Sequence, residues 1–70
     1  MIYIFARSMR EVKQFAWLHE LQPFQYTYVD APDKIAGIGN PVVIILNGWR
    51  NAAAEARLEA VRATILRMSL

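Results

Sequence analysis

Two short runs of apolar, β-favouring residues constrain the fold of this 70-residue chain more than any other feature. The first run covers residues 2–6, and the second covers Val42–Leu46. Strands that are apolar at every position are usually covered on both faces, which is typical of a parallel sheet in an α/β protein. The sequence therefore predicts an α/β domain built around these two strands.

The segments around the two runs predict the order β-α-β-(short α)-β-α in a single domain of residues 1–70. Ser8 and Glu11 have the spacing of a capping box, so a helix is expected over residues 9–20. Alternating aromatic residues predict a strand over residues 24–29. Its Tyr26 and Tyr28 are expected to pack in the core or an interface, with a stacking platform for single-stranded nucleic acid as the alternative. Asp30 and Pro32 then predict a short crossover helix, in which the helix dipole favours the Asp33 carboxylate at an early position. The last predicted helix, over residues 51–68, is based on an apolar stripe at helical spacing: Ala54, Leu58, Val61, Ile65 and Met68.

The handedness of the crossovers predicts how these strands are arranged. Right-handed connections give a minimal three-stranded parallel sheet in the order 2-1-3, which is a truncated Rossmann-like fold. The run Val42–Leu46 would then lie at one edge, and an exposed apolar edge invites pairing with another chain.

The chain is also short for an independent core, and 56% of its residues are hydrophobic, which favours a homo-oligomer, most simply a dimer. The predicted oligomer contacts are Val43 and Ile45 on the edge strand, and Trp17, which lies off the apolar face of the first helix.

Composition and missing motifs exclude several classes of function. The chain has no cysteine and a single histidine, His19, so we predict no metal site and no cofactor. His19 is expected to lie in the packed face or at the rim of the first helix. No nucleophile, base and stabilising group can be identified together, so we predict that the protein is not an enzyme. No apolar run approaches the length of a membrane span, and a cytoplasmic location is expected.

The candidate binding site lies where the first and third predicted strands end. The carboxyl ends of parallel strands are the usual ligand-binding edge of an open α/β sheet. The site residues predicted there, for a phosphate, a carboxylate or a partner protein, are Arg7, Ser8, Arg10, Asn47, Trp49 and Arg50. A structural interpretation remains open, in which Ser8 caps the helix and the arginines are solvated. The net charge of +2 favours nucleic-acid binding only weakly.

Short motifs give this chain a resemblance to a known group of proteins. They are Ala6-Arg7-Ser8-x-x-Glu11, then Trp17, then Tyr28-Val29-x-x-Pro32-Asp33, then Asn40-Pro41 before an apolar strand. In these motifs the chain resembles small uncharacterised proteins encoded by actinobacterial phages. The resemblance implies a cytoplasmic accessory protein of a virus, without a known chemistry. More distantly, the chain is similar to the frame of P-loop ATPases without the glycines and lysine of their nucleotide loop.

Two functions remain open at this point. The first is a homo-oligomeric module that binds a host or viral protein. The alternative is a weak binder of nucleic acid or phosphate ligands that uses Arg7, Arg10 and Arg50 together with the start of the first helix.

Overall fold

A parallel sheet of four strands forms the centre of the computed structural model, which describes residues 1–35 and 37–70 without the side chains of Pro32 and Asp33. The strands are β1 (Ile2–Phe5), β2 (Tyr26–Val29), β3 (Val42–Leu46) and β4 (Thr64–Met68), and their spatial order is β2-β1-β3-β4. The described residues also form the helices α1 (Met9–Leu18) and α2 (Ala52–Ala60), with single 3-10 turns at Pro23–Gln25 and Pro32–Ile35. The predicted α/β class and parallel sheet are confirmed.

The predicted limit of three strands is wrong, because residues 64–68 form β4 instead of the end of a helix. Ile65 and Met68 follow Leu58 at a spacing that also fits a helix, so the apolar pattern alone favoured the wrong structure. In the fold, β4 pairs in parallel with β3, which therefore lies inside the sheet between β1 and β4. The predicted apolar edge at Val42–Leu46 is wrong for the same reason.

Both helices end in a Schellman motif, in which two backbone bonds close over a left-handed residue. At the end of α2, the N–H of Ala63 donates to the carbonyl of Leu58 at 3.0 Å, and the N–H of Arg62 donates to that of Glu59 at 3.1 Å. Arg62 has a φ of 56°, and Glu20 has the same φ at the equivalent position after α1. These motifs end α1 at Leu18 and α2 at Ala60, earlier than predicted.

The two helices cover opposite faces of the sheet. On the side of α1, the buried residues are Ile4, Ala6, Val12, Phe15, Ile44 and Leu46. On the side of α2 and the second 3-10 turn, they are Phe5, Val29, Ile35, Val43, Ile45, Ala54 and Leu58. Val43 and Ile45, which we predicted to be oligomer contacts, are thus buried within this chain and offer no surface to a partner.

The α1 side of the sheet is only partly covered. Val42 and Leu66 lie on this side, because Val42 alternates with Val43 along β3 and Leu66 pairs with Ile44 across the sheet. They remain 40% and 48% exposed, whereas Ile44, their neighbour on the same face, is almost fully buried. The outer part of this face therefore keeps two exposed apolar side chains, Val42 and Leu66, that no described residue covers.

The second strand is shorter than predicted, because residues 23–25 form a 3-10 turn. Tyr26 and Tyr28 are half-buried and pack against the core on the α1 side. Their rings belong to the core, as the packing interpretation of strand aromatics predicts. Asp30 forms an ion pair with Lys34 at 2.8 Å. The expected early-helix role of the Asp33 carboxylate lies outside the described residues.

Candidate functional site

The carboxyl ends of β1 and β3 bring Arg7 and Asn47 together. Phe5 and Ile45 are neighbours in the parallel register, so the residues that follow them leave the sheet side by side. The Arg7 guanidinium donates from Nη2 to the backbone carbonyl of Asn47 at 3.3 Å. Arg7, a residue of the predicted site, therefore joins the two strand ends through this hydrogen bond.

Glu11 occupies the centre of this edge, although the sequence pattern indicated only a capping role. Its Oε2 accepts a hydrogen bond from Nδ2 of Asn47 at 2.7 Å, and its Oε1 accepts from the backbone N–H of Arg7 at 2.9 Å. The N–H of Glu11 donates to Oγ of Ser8 at 3.4 Å, so Ser8 does cap α1. The predicted reciprocal bond from Ser8 to Glu11 is replaced by the bond from Arg7, one residue earlier.

The electrostatics of Glu11 follow from these bonds. The side-chain hydrogen bond from Asn47 lowers the pKa of Glu11 most, and the N–H and positive charge of Arg7 lower this pKa further. The carboxylate is therefore ionised at neutral pH and lies at the N-terminus of α1, where an external anion would otherwise be attracted. Asn51 caps α2 in a similar way, since its Oδ1 accepts from the N–H of Ala54 at 3.1 Å.

Trp49 packs against the core on the α2 side and is partly exposed. Its ring meets that of Phe5 edge to face, with 5.0 Å between centroids and 81° between planes. The left-handed residues Asn47 and Gly48 form the turn before it, and the N–H of Trp49 donates to the carbonyl of Leu46 at 2.9 Å. Part of the ring surface is therefore already used in packing against Phe5.

Arg10 and Arg50 are exposed, and their side chains form no hydrogen bond or ion pair with the described residues. The predicted site residues are thus divided among three environments, of which solvent is the first. Arg7, Ser8 and Asn47 belong to the network around Glu11, while Trp49 packs against the core. The edge as a whole is a joint between β1, β3 and α1 whose polar groups are largely satisfied within the chain.

A second surface lies around the end of α1. Trp17 is 79% exposed and Leu18 is 51% exposed, and Phe24 in the following 3-10 turn is 76% exposed. A shallow concave region is lined here by Ala16, Trp17, Leu18, Glu20, Leu21 and Gln22. The prediction that Trp17 lies off the buried face of the helix agrees with this exposure. Only the spacing of Trp17 relative to Val12, Phe15 and Ala16 indicated it.

His19 follows the last residue of α1, and its ring packs on that of Phe15 with 4.3 Å between centroids and 36° between planes. Within the described residues, no three histidine, aspartate or glutamate side chains are grouped so that they could hold a metal ion. Residues 1–35 and 37–70 also contain no helix that is long and apolar enough to cross a membrane.

No protein family matches this chain, and no curated protein or solved structure matches it at a significant level.

Proposed function

We propose that this protein is a non-enzymatic, homo-oligomeric interaction module, and that the outer face of α1 binds a partner protein. The observation that carries this proposal is the 79% exposure of Trp17, which lines a shallow concave region of mixed polar and apolar surface. Tryptophan is the residue type most enriched at binding hot spots, and fully burying its ring supplies a large apolar contribution to affinity. A partner protein would supply that burial.

The residues around Trp17 indicate what chemistry the partner needs. Lys13 and Arg10 precede Trp17 by four and seven residues, so all three lie along one exposed line of α1. Neither basic side chain forms an ion pair with any residue that the structure describes. A partner segment with an apolar side chain against Trp17 and acidic residues beside Lys13 and Arg10 would complement this face.

The alternative function, binding of nucleic acid or phosphate ligands at the strand ends, has less support from the geometry. Ser8 and Glu11 already occupy the N-terminus of α1, and Arg7 is bonded to Asn47. Arg10 and Arg50 remain exposed cations, so the alternative stays a prediction. The two functions differ in salt dependence, because phosphate binding weakens steeply as salt concentration rises and an apolar interface does not.

The broader setting belongs to the same proposal. We infer a shortened Rossmann-like frame, supported by the parallel sheet with β1 inside it and helices on opposite faces. The resemblance to actinobacterial phage proteins supports a viral accessory role in the cytoplasm of an infected cell.

The test is affinity capture from an actinobacterial cell extract with three immobilised proteins: the unaltered chain, Trp17→Ala and Phe24→Ala. Phe24 is a matched control, since it is about as exposed as Trp17 but lies outside the concave region. We expect a partner that the unaltered chain and Phe24→Ala retain in high salt and that Trp17→Ala loses. Equal capture by all three, or capture that disappears in moderate salt, would contradict the proposal.

A further inference from the structure

β4 is an open edge of the sheet with a defined set of unpaired backbone groups. The N–H of Thr64 donates to Pro41 at 2.9 Å, and the carbonyl of Met68 accepts from Asn47 at 2.9 Å, so both residues turn their backbone groups toward β3. Because backbone groups alternate in direction along a strand, Leu66 also turns toward β3. Ile65 and Arg67 therefore turn their N–H and carbonyl groups to the open edge, where no described residue pairs with them.

We propose that β4 pairs with β4 of a second copy of this chain, antiparallel and across a two-fold axis at Leu66. The inference rests on the homo-oligomeric part of the proposed function, but it uses the edge strand β4 and not the α1 residues around Trp17. The product is a continuous sheet of eight strands, in which each copy covers the open edge of the other.

The direction of the backbone groups and the charge of Arg67 together favour this register. In an antiparallel pair, residues that exchange hydrogen bonds alternate with residues that do not, and opposed side chains share a face. With the axis at Leu66, Ile65 of each copy lies opposite Arg67 of the other, and each such pair exchanges two hydrogen bonds. An axis at Arg67 would instead place two guanidinium groups directly opposite each other, which is unfavourable.

The side chains of β4 suit a second copy in the same register. Leu66, which is 48% exposed, meets Leu66 of the other copy in the closely spaced type of pair, where Cα atoms are about 4.5 Å apart. The axis also brings together the uncovered apolar parts of the two α1-side faces. Arg67 is bonded to Glu55 of its own chain at 3.2 Å, so its charge is compensated beside the interface. Arg67 is also the only charged residue of β4, which leaves the edge poorly protected against pairing.

The size of the contact sets the expected affinity. One short strand pair buries less than the roughly 1,600 Å² of a standard protein interface. The dimer should therefore dissociate on dilution, and sedimentation should show a reversible monomer–dimer equilibrium over a micromolar range of concentrations.

Disulfide trapping tests the register directly, because the natural chain contains no cysteine. Cα atoms of a closely spaced antiparallel pair lie within the range that a disulfide spans. We expect Leu66→Cys to form a covalent dimer under mild oxidation. The matched control is Arg67→Cys, an exposed neighbour that faces Ile65 of the other copy and should remain mostly unlinked. Equal cross-linking of both variants, or none in Leu66→Cys, would overturn the proposed register.

A charge at the same position tests the interface without cysteine chemistry. Leu66→Lys places two ammonium groups opposite each other in the dimer, while in the monomer the side chain reaches solvent. We expect this variant to sediment as a monomer at concentrations where the unaltered chain is dimeric, with an unchanged circular dichroism spectrum.

The outcomes separate this inference from the proposed function. A dimer that persists in Leu66→Lys would overturn the β4 interface and leave self-association through another surface. A monomer for the unaltered chain at all concentrations would overturn both the β4 interface and the homo-oligomeric part of the function. Neither result would affect partner binding by Trp17, which the capture experiment measures by itself.

Discussion

Asn47 shows how one residue can hold several elements together. Its φ of 52° lies in the left-handed region, which asparagine tolerates better than most residues. Its side chain donates to Glu11 and accepts from the N–H of Leu70 at 2.9 Å, while its carbonyl accepts from Arg7. The sequence predicted Asn47 at a ligand site, because a polar residue after a buried strand fits both roles equally well.

Substitutions at Asn47 should separate backbone strain from side-chain bonding. Asn47→Gly keeps the left-handed turn and loses the side-chain bonds, so we expect it to be less stable than the unaltered chain. Asn47→Ala loses the same bonds and adds strain, which should cost about 1 kcal/mol more. Urea denaturation of the three proteins measures both effects. Equal midpoints for the alanine and glycine variants would show that the turn is not strained.

The depressed pKa of Glu11 predicts how stability depends on pH. A carboxyl whose pKa is lower in the folded chain than its ordinary value of 4.5 stabilises the fold above that value. The contribution is lost as pH falls through the lower, folded-state pKa. We therefore expect the stability gap between the unaltered chain and Glu11→Gln to shrink on acidification below the ordinary range. Glu59→Gln is the control, since the Glu59 side chain forms no hydrogen bond with described residues. If the difference in stability between the unaltered chain and Glu11→Gln did not change with pH, the stabilising role of the Glu11 carboxylate would be contradicted.

At the scale of elements, sequence patterns located β3 at its observed bounds and found the first residue of α1. The run Val42–Leu46 is apolar throughout, and Ser8 marks a helix start through a bond within one turn. The apolar run and the helix cap both depend on residues close together in the sequence, so these two boundaries could be predicted without knowledge of the tertiary packing. The end of α2 had no such signal, because a non-glycine residue, Arg62, closes the helix in a conformation that usually belongs to glycine. Only the pairing of β4 with β3 distinguishes strand from helix there.

The same helix ends offer a way to stabilise the fold. Arg62→Gly and Glu20→Gly each remove the steric cost of a side chain at a φ of 56°. We expect each substitution to raise the free energy of unfolding by about 0.5–1 kcal/mol, because the relief exceeds the extra freedom of glycine in the unfolded chain. Thermal and urea denaturation measure the effect. Glycine at Arg57, within α2, is the control and should instead destabilise the protein.

For the whole molecule, the order of the first three strands was predictable, whereas β4 and the site were not. The order of β1, β2 and β3 followed from crossover handedness, which holds for nearly all parallel connections. Arg7, Trp49 and Arg50 can form one binding site only if their side chains are not already packed in the core or bonded near a helix start. The spacing of residues in the sequence does not show which side chains are bonded or packed in this way. Packing placed Trp49 against the core and left Trp17 exposed.

The frame also lacks the parts that phosphoryl transfer needs. No glycine loop and lysine follow β1, and Glu11 places a carboxylate where phosphate oxygens would lie in a nucleotide site. We expect no ATP hydrolysis above that of a buffer blank. Turnover by the pure protein that disappears in Arg7→Ala would contradict this expectation.

The alternating backbone of β4 has a consequence for hydrogen exchange. The amides of Thr64, Leu66 and Met68 turn into the sheet, so they should exchange slowly with deuterium, as part of a cooperative unit. The amides of Ile65 and Arg67 face the open edge and should exchange fast in the monomer, giving an every-other-residue pattern along a single strand. If two copies join at this edge, raising the protein concentration should slow exchange at these two amides first. The exchange rates of single amides in β4 would then measure the assembly of the dimer.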